Sequence, residues 1–288
     1  MLQARMAEVA ALVQARLDRE IGQYDGVIAD AMAYASRGGK RLRALLVVES
    51  ARLHAVPQHQ AEWPAAAIEA LHAYSLVHDD LPCMDDDSTR RGQPTVHIKW
   101  DQATAVLAGD ALQTLAFEML GSPACHPMGD VRADLCLSLA RAAGAGGMVR
   151  GQMLDIAAET AAQPLDLAQI TELQAGKTGA LITWSATVGA RMAGADLAPL
   201  ARYGDALGLA FQVWDDVLDV TGDAAKTGKA VGKDAQAGKA TFVSLLGLEA
   251  AQTQARTLVD HACDALSGYG YGADCLRQAA RFVIARDS

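Results

Sequence analysis

Apolar residues recur at helical spacing along almost the whole chain, and strict apolar–polar alternation is nearly absent. Alanine and leucine fill most of these periodic stretches, which favours helix. The pattern predicts helices near 3–20, 39–54, 62–80, 103–120, 130–147, 167–176, 179–193, 197–219, 240–250, 253–267 and 273–285. Gly and Pro punctuate them at Pro57, Pro82, Gly121-Ser122-Pro123, Pro164, Gly194, Gly222 and Gly268. Two longer gaps, roughly 81–102 and 220–239, stand out. Long loops in a compact domain are usually functional. With no repeat and no shift in composition, the expectation is a single all-α domain over residues 1–288.

Both gaps follow an aspartate cluster. The first reads Asp79-Asp80-Leu81-Pro82-Cys83-Met84-Asp85-Asp86-Asp87 and ends the apolar run Leu71–Val77. The second reads Asp215-Asp216-Val217-Leu218-Asp219 and ends the run Leu207–Trp214. Carboxylates crowded beside apolar surface repel one another unless a cation neutralises them. Hard carboxylate oxygens suit Mg²⁺, which takes one or two of them and completes its shell with water and substrate phosphate. Pro82 removes a backbone donor and clashes one turn back, so the first helix should end near Asp80 and Asp85 can fold back towards Asp79. Asp215 and Asp219 are i and i+4 and share a helical face, with Gln212 close by. Two such clusters suggest two walls of one site closing on a polyphosphate.

Composition narrows the function. The net charge is -9, which argues against a nucleic-acid surface. The five cysteines are scattered, with no CxxC pair, and read as reduced thiols of a cytoplasmic protein. No apolar run reaches membrane-spanning length. Hydrophobic residues make up 51% of the chain, enough for a sizeable core.

The basic residues gather in short runs. Gly38-Gly39-Lys40-Arg41-Leu42-Arg43 opens a predicted helix, where free amides and cationic side chains can meet an anion. It is not a Walker loop. Arg90-Arg91-Gly92 follows the first Asp cluster, and Gly176-Lys177-Thr178-Gly179 interrupts a helical pattern. Lys226, Lys229, Lys233 and Lys239 lie in or beside the second gap. Each run alone reads as solvated surface, and His72 alone reads as a packed histidine. Together the basic runs describe anion sites flanking two metal clusters.

In these motifs the chain resembles the trans-isoprenyl diphosphate synthases, most closely the bacterial farnesyl diphosphate synthases. The anchors run through nearly its whole length: Gly38–Arg43, His72–Gly92 (HAYSLVHDDLPCMDDDSTRRG), Leu107–Leu120 (LAGDALQTLAFEML), Gly176–Gly179, Phe211–Asp219 (FQVWDDVLD) and Gly238–Gly247 (GKATFVSLLG). The resemblance implies an all-α helical bundle around a deep central cavity, usually a homodimer. It implies a head-to-tail condensation of isopentenyl diphosphate with dimethylallyl and geranyl diphosphates, giving farnesyl diphosphate and pyrophosphate. Mg²⁺ is implied as cofactor, three ions per active site, with Mn²⁺ able to substitute.

Carried over residue by residue, the resemblance implies Asp79, Asp85 and Asp215 as the main Mg²⁺ ligands, with Asp80, Asp216 and Asp219 supporting them. Arg90, Lys177, Lys229 and Lys239 match the allylic diphosphate site. Gly39, Lys40, Arg43, His72 and Arg91 match the isopentenyl diphosphate site. Thr178 and Gln212 match polar groups along the reacting carbons. Chain length is set below the first cluster, where Tyr74 lies ~7.5 Å down a helix from Asp79 and Ser75 is small. Tyr74 is either the floor that stops growth at fifteen carbons or a plain core aromatic. Two positions depart from the family pattern: Ala44 stands where proline is usual, and Trp214 where a polar residue is common.

Three other readings share some of these features. A geranylgeranyl or geranyl diphosphate synthase differs in product length. A class I terpene cyclase would normally carry an Asn/Ser/Glu motif in place of the second DDxxD and needs no isopentenyl site. A non-catalytic synthase subunit typically loses its Asp clusters, and both are intact here.

Overall fold

The structure, a computed structural model, describes residues 2–161, 163–221 and 240–285. These form two compact units, Met1–Cys136 and Leu137–Ser288. The first unit holds α1 (Leu2–Ile21), α2 (Val27–Ala35), α3 (Leu42–Leu53) and α4 (Gln58–Asp79). A two-stranded hairpin follows, β1 (Thr89–Arg90) with β2 (Gln93–Pro94), then α5 (Val96–Lys99) and α6 (Gln102–Gly121). Helix α7 (Gly129–Ala143) contains the division between the units.

Helix α4 is the core of the first unit. It is apolar nearly all round, the signature of a helix buried on every side. Ala65, Ala66, Ala67, Ile68, Ala70 and Leu71 are completely buried. It packs against α1, α3 and α6. Small alanines let those neighbours approach closely while Ile68 and Leu71 fill the space between.

The second unit holds α8 (Met148–Glu159), α9 (Leu167–Gln174), a π-helical turn (Ala175–Gly179) and α10 (Ala180–Ala193). Then come α11 (Ala198–Thr221), α12 (Phe242–Leu246), α13 (Leu248–Ala265), a 3₁₀ segment (Ser267–Ala273) and α14 (Asp274–Val283). Val213 and Val217 of α11 pack with Ile170, Phe242, Ala251 and Ala255 in one buried cluster. Asp166 and Gln169 form a reciprocal capping box that starts α9.

The structure is all-α apart from the short hairpin, as the pattern predicts. It corrects several boundaries. The gap at 81–102 contains that hairpin and α5. Helices α2 and α8 were not expected, and the helix predicted over 130–147 stops at Ala143. The helix predicted over 240–250 is broken at Gly247, whose φ of 83° a helix cannot contain. Among the described residues no helix is long and apolar enough to cross a membrane.

Candidate active site

The acidic end of α4 forms as its sequence requires. The helix stops at Asp79, with Asp80 as its C-cap. Pro82 cannot continue the ladder. The chain then turns back on itself, and the Asp85 amide donates to the Asp79 carbonyl at 2.8 Å. The Asp86 amide donates to the Leu81 carbonyl at 3.2 Å, with Asp86 in the left-handed region at φ 51°. Two carboxylate-bearing residues are thus joined at a helix C-terminus, whose carbonyls already favour a cation. Asp79 is half-buried and Asp85 exposed. Among the described residues no three His, Cys, Asp or Glu side chains converge as a ready-made metal cage.

Arg90 braces this end. Its Nε and Nη2 lie 2.7 Å and 2.6 Å from Asp80 Oδ1, and Nη2 lies 3.9 Å from Asp87 Oδ2. Burial pushes the Asp80 carboxyl above its ordinary range, and the Arg90 guanidinium opposes that shift. Arg91 and Gly92 turn the hairpin with φ of 53° and 73°, the positive pair that a type I′ turn demands. The Thr95 hydroxyl donates to the Asp87 carbonyl at 2.9 Å and fastens the hairpin to the Asp-rich loop.

The hairpin points Arg91 at the glycine loop. Arg91 Nη1 donates to the Arg37 carbonyl at 3.0 Å. Gly39 has φ 84°, and a Cβ there would lie 2.8 Å from Arg91 Nη2. Only glycine accommodates both the backbone and the guanidinium. Helix α3 begins just beyond, at Leu42. Here one expectation is corrected. The amides at this helix start are not all open to an anion, because Ala44 N donates to Glu69 Oε1 at 3.0 Å. With the Ala44 amide taken, an anion at this helix start would be met chiefly by side chains.

Those side chains converge. Arg43 is half-buried, and its buried Nε has no hydrogen-bond partner. Burial lowers the Arg43 pKa from its ordinary value, with Glu69 opposing and Arg91 reinforcing the shift. His72 is held well below the ordinary histidine range, first by burial and then by Arg43, Arg91, Arg90 and Arg41. Guanidinium groups gathered this closely suit a compact polyanion. Lys40, three residues before Arg43, is exposed.

Tyr74 faces α6. It is 7% exposed, its ring meets His78 edge-on at 5.4 Å, and it hydrogen-bonds Gln113. Ser75 is half-buried and donates to the His72 carbonyl at 2.9 Å.

In the second unit the Gly176–Gly179 interruption is the π-helical turn. Such turns often mark functional sites. Lys177 Nζ lies 2.7 Å from Asp155 Oδ2 on α8. A Cβ on Gly151 would lie 2.0 Å from Lys177 N, so α8 rests directly on the turn's backbone and glycine is required there. Thr178 is half-buried beside Lys177. Gln212 Nε2 donates to Gln174 Oε1 at 2.7 Å. Asp215 and Asp219 are half-buried on α11. Asp216 is 8% exposed and accepts the Phe242 amide, the first of α12, at 2.7 Å. Lys229 and Lys239, with Lys226 and Lys233, lie outside the described residues.

Sequence reasoning missed Glu69, Asp155 and Gln174, each of which holds an expected site residue or its neighbour. Glu69 had a signal: it is the only acidic residue between Glu62 and Asp79, inside an apolar run, and a charge there needs a partner. Asp155 had none, because α8 itself went unread.

The sequence signature of the polyprenyl synthetase family matches residues 25–266. A farnesyl diphosphate synthase from Escherichia coli (strain K12) is 45% identical over 269 residues, 90% of this chain and 89% of that protein. The solved apo structure of an FPP/GFPP synthase from Zymomonas mobilis shares 44% identity and a TM-score of 0.90, covering 98% of both chains. A geranyltransferase from Helicobacter pylori, solved with magnesium and isoprenyl diphosphate, shares 32% identity and a TM-score of 0.80, covering 99% of this chain and 96% of the other. With the family signature spanning most of the sequence and relatives matched nearly end to end, this chain belongs to the polyprenyl synthetase family.

Proposed function

We propose that the protein is a farnesyl diphosphate synthase, condensing isopentenyl diphosphate with dimethylallyl and then geranyl diphosphate in the presence of Mg²⁺. The observation that carries this reading is the split duty of two adjacent hairpin residues. Arg90 is bound to Asp80 at the acidic end of α4, while Arg91 packs on the Gly39 loop beside Arg43 and His72. An acidic, metal-suited end and a cationic pocket are therefore neighbours, as two diphosphates side by side require. A cyclase acting on one diphosphate has no use for the second pocket. The similarity to E. coli farnesyl diphosphate synthase supports the fifteen-carbon product, and the magnesium in the Helicobacter pylori structure supports the metal. A homodimer is the expected assembly.

In this reading Asp79, Asp85 and Asp215 hold Mg²⁺. Asp80, Asp216 and Asp219 support them, Asp80 through Arg90 and Asp216 by fixing α12 to α11. Bound Mg²⁺ would supply Lewis acidity at the leaving-group oxygens. Lys177, Lys229, Lys239 and Arg90 bind the allylic diphosphate and take up charge as its C–O bond breaks. Lys40, Arg43, His72 and Arg91, with Gly39, hold isopentenyl diphosphate so that its double bond meets the allylic cation, chiefly a matter of positioning. Thr178 and Gln212 flank the reacting carbons. A proton then leaves to the departing pyrophosphate.

The two diphosphate sites separate by mutation. Arg43→Ala removes a charge-assisted contact of about 1.5–3 kcal/mol. Its expected effect is a rise of about ten- to a hundred-fold in KM for isopentenyl diphosphate, with the allylic KM nearly unchanged. Steady-state kinetics with each substrate varied in turn checks this, and equal weakening of both would undo the assignment.

Product length tests Tyr74. Forcing a longer chain against a packed ring costs about 1–3 kcal/mol, enough to shift a product ratio ten-fold or more. Tyr74→Ala should release twenty-carbon or longer diphosphates, and Tyr74→Phe should change little, because ring shape and not the hydroxyl is invoked. Chromatography of the products decides it. If Trp214→Ala lengthens the product while Tyr74→Ala does not, the gate lies on α11.

A further inference from the structure

One buried carboxylate, Glu69, sits beside the arginines assigned above to isopentenyl diphosphate. Glu69 is 4% exposed, on the face of α4 that meets α3. Its Oε1 accepts Ala44 N at 3.0 Å and its Oε2 accepts Arg41 Nη1 at 3.1 Å. Ala44 is the third residue of α3, so its amide is one of the orphan donors of that helix start. Arg41 is the residue before the helix, held at φ 51°, and its guanidinium also bonds Gln14 Oε1 at 2.8 Å and the Ser36 carbonyl. One carboxylate thus fixes both the start of α3 and the chain leading into it. Arg43 lies between these two anchored residues.

The charges point the same way. The His72 ring lies among Arg43, Arg91, Arg90 and Arg41, and Arg91 faces both Arg43 and Arg41. Glu69 is the nearby acid that acts on both Arg43 and Arg91. Without it, three guanidinium groups would face one another across a half-buried space before any substrate arrives, a repulsion that low dielectric makes costly. We propose that Glu69 is a positioning residue of the isopentenyl diphosphate pocket: it anchors the start of α3 and offsets the arginine cluster, so that the Arg43 guanidinium is held in place for the diphosphate. This rests on the assignment of that pocket, which the Arg43→Ala kinetics test separately. An Arg43 variant with a normal isopentenyl diphosphate KM would sink the pocket itself, whereas a defective Arg43 variant beside a normal Glu69 variant would sink the Glu69 proposal alone.

Three variants and two readouts test the proposal. Glu69→Gln keeps the shape and removes the charge. It should raise KM for isopentenyl diphosphate about ten-fold, leave the allylic KM within about two-fold, and weaken calorimetric binding of isopentenyl diphosphate to the protein alone by a similar factor. Glu69→Gln with Arg41→Gln removes a charge of each sign and should bind isopentenyl diphosphate better than Glu69→Gln alone. Because Glu69 and Arg41 are bonded directly, their losses should not add; a purely structural role is told apart by its weakening both substrates equally. Should Glu69→Gln not fold, Glu69→Asp keeps the charge but shortens the reach to Ala44 N and Arg41, and should raise KM for isopentenyl diphosphate several-fold through the lost anchor alone, again with the allylic KM within about two-fold. Equal effects on both substrates, an isopentenyl diphosphate KM within two-fold of wild type, additive losses in the double variant, or failure of both single variants to fold would each overturn the proposal.

Discussion

EDTA abolishes turnover of the purified protein, and added Mg²⁺ restores it: this is the largest effect expected. The residues themselves supply the reason. Asp79 and Asp85 are tied together by a 2.8 Å backbone hydrogen bond at the C-terminus of α4. Carboxylates and a negatively polarised helix end cannot receive a diphosphate without a cation between them. Arg90 does not serve that purpose alone, because its guanidinium already bonds Asp80 at 2.6 Å. Removing the divalent ion therefore removes both substrate binding and leaving-group stabilisation, a loss of about 10²–10³-fold for each such electrostatic element. Initial rates with and without chelator check this. Full activity in metal-free buffer would show that the aspartates serve another purpose.

Asp79→Ala is expected to lose ~10²-fold or more in turnover, the scale of one deleted transition-state contact, while circular dichroism and the thermal midpoint stay near wild type. The fold should tolerate the change because the Asp79 side chain is half-buried at the edge of the core. The atom that organises the loop is its backbone carbonyl, which accepts the Asp85 amide and survives the substitution. The contrast with Asp80 is instructive. Asp80 is 3% exposed and doubly bonded by Arg90, so Asp80→Ala would also strand a half-buried guanidinium and confound activity with stability. Near-normal turnover in a folded Asp79→Ala protein would remove this carboxylate from the metal site.

Much of this architecture is written in the sequence where one force dominates. The run ending at Asp79 is apolar on every side and halted by Pro82, so both the burial of α4 and the return of Asp85 to Asp79 follow from composition and one proline. The Gly176–Gly179 interruption is equally visible, although its π-helical form is not, since glycines within a helix also mark caps and kinks. Other features are hidden for physical reasons. The β1–β2 strands have two residues each, too short for any alternation to register. Helix α8 exposes Val149, Met153 and Ile156 and buries Met148 and Gly151, so its apolar residues do not trace its inner face. Arg41 stands in a run of cations read as an anion site, yet its guanidinium is spent on Glu69 and the Ser36 carbonyl. A one-dimensional charge pattern cannot distinguish a cation that awaits a ligand from one that already has a protein partner.

The central claim is that two diphosphates are bound side by side and joined to fifteen carbons. It is tested most directly by incubating the purified protein with Mg²⁺, dimethylallyl diphosphate and labelled isopentenyl diphosphate and sizing the products. The account predicts label in a fifteen-carbon diphosphate, formed by the protein alone and dependent on both substrates. Absence of any condensation product, or a cyclised hydrocarbon made from an allylic diphosphate without isopentenyl diphosphate, would contradict it.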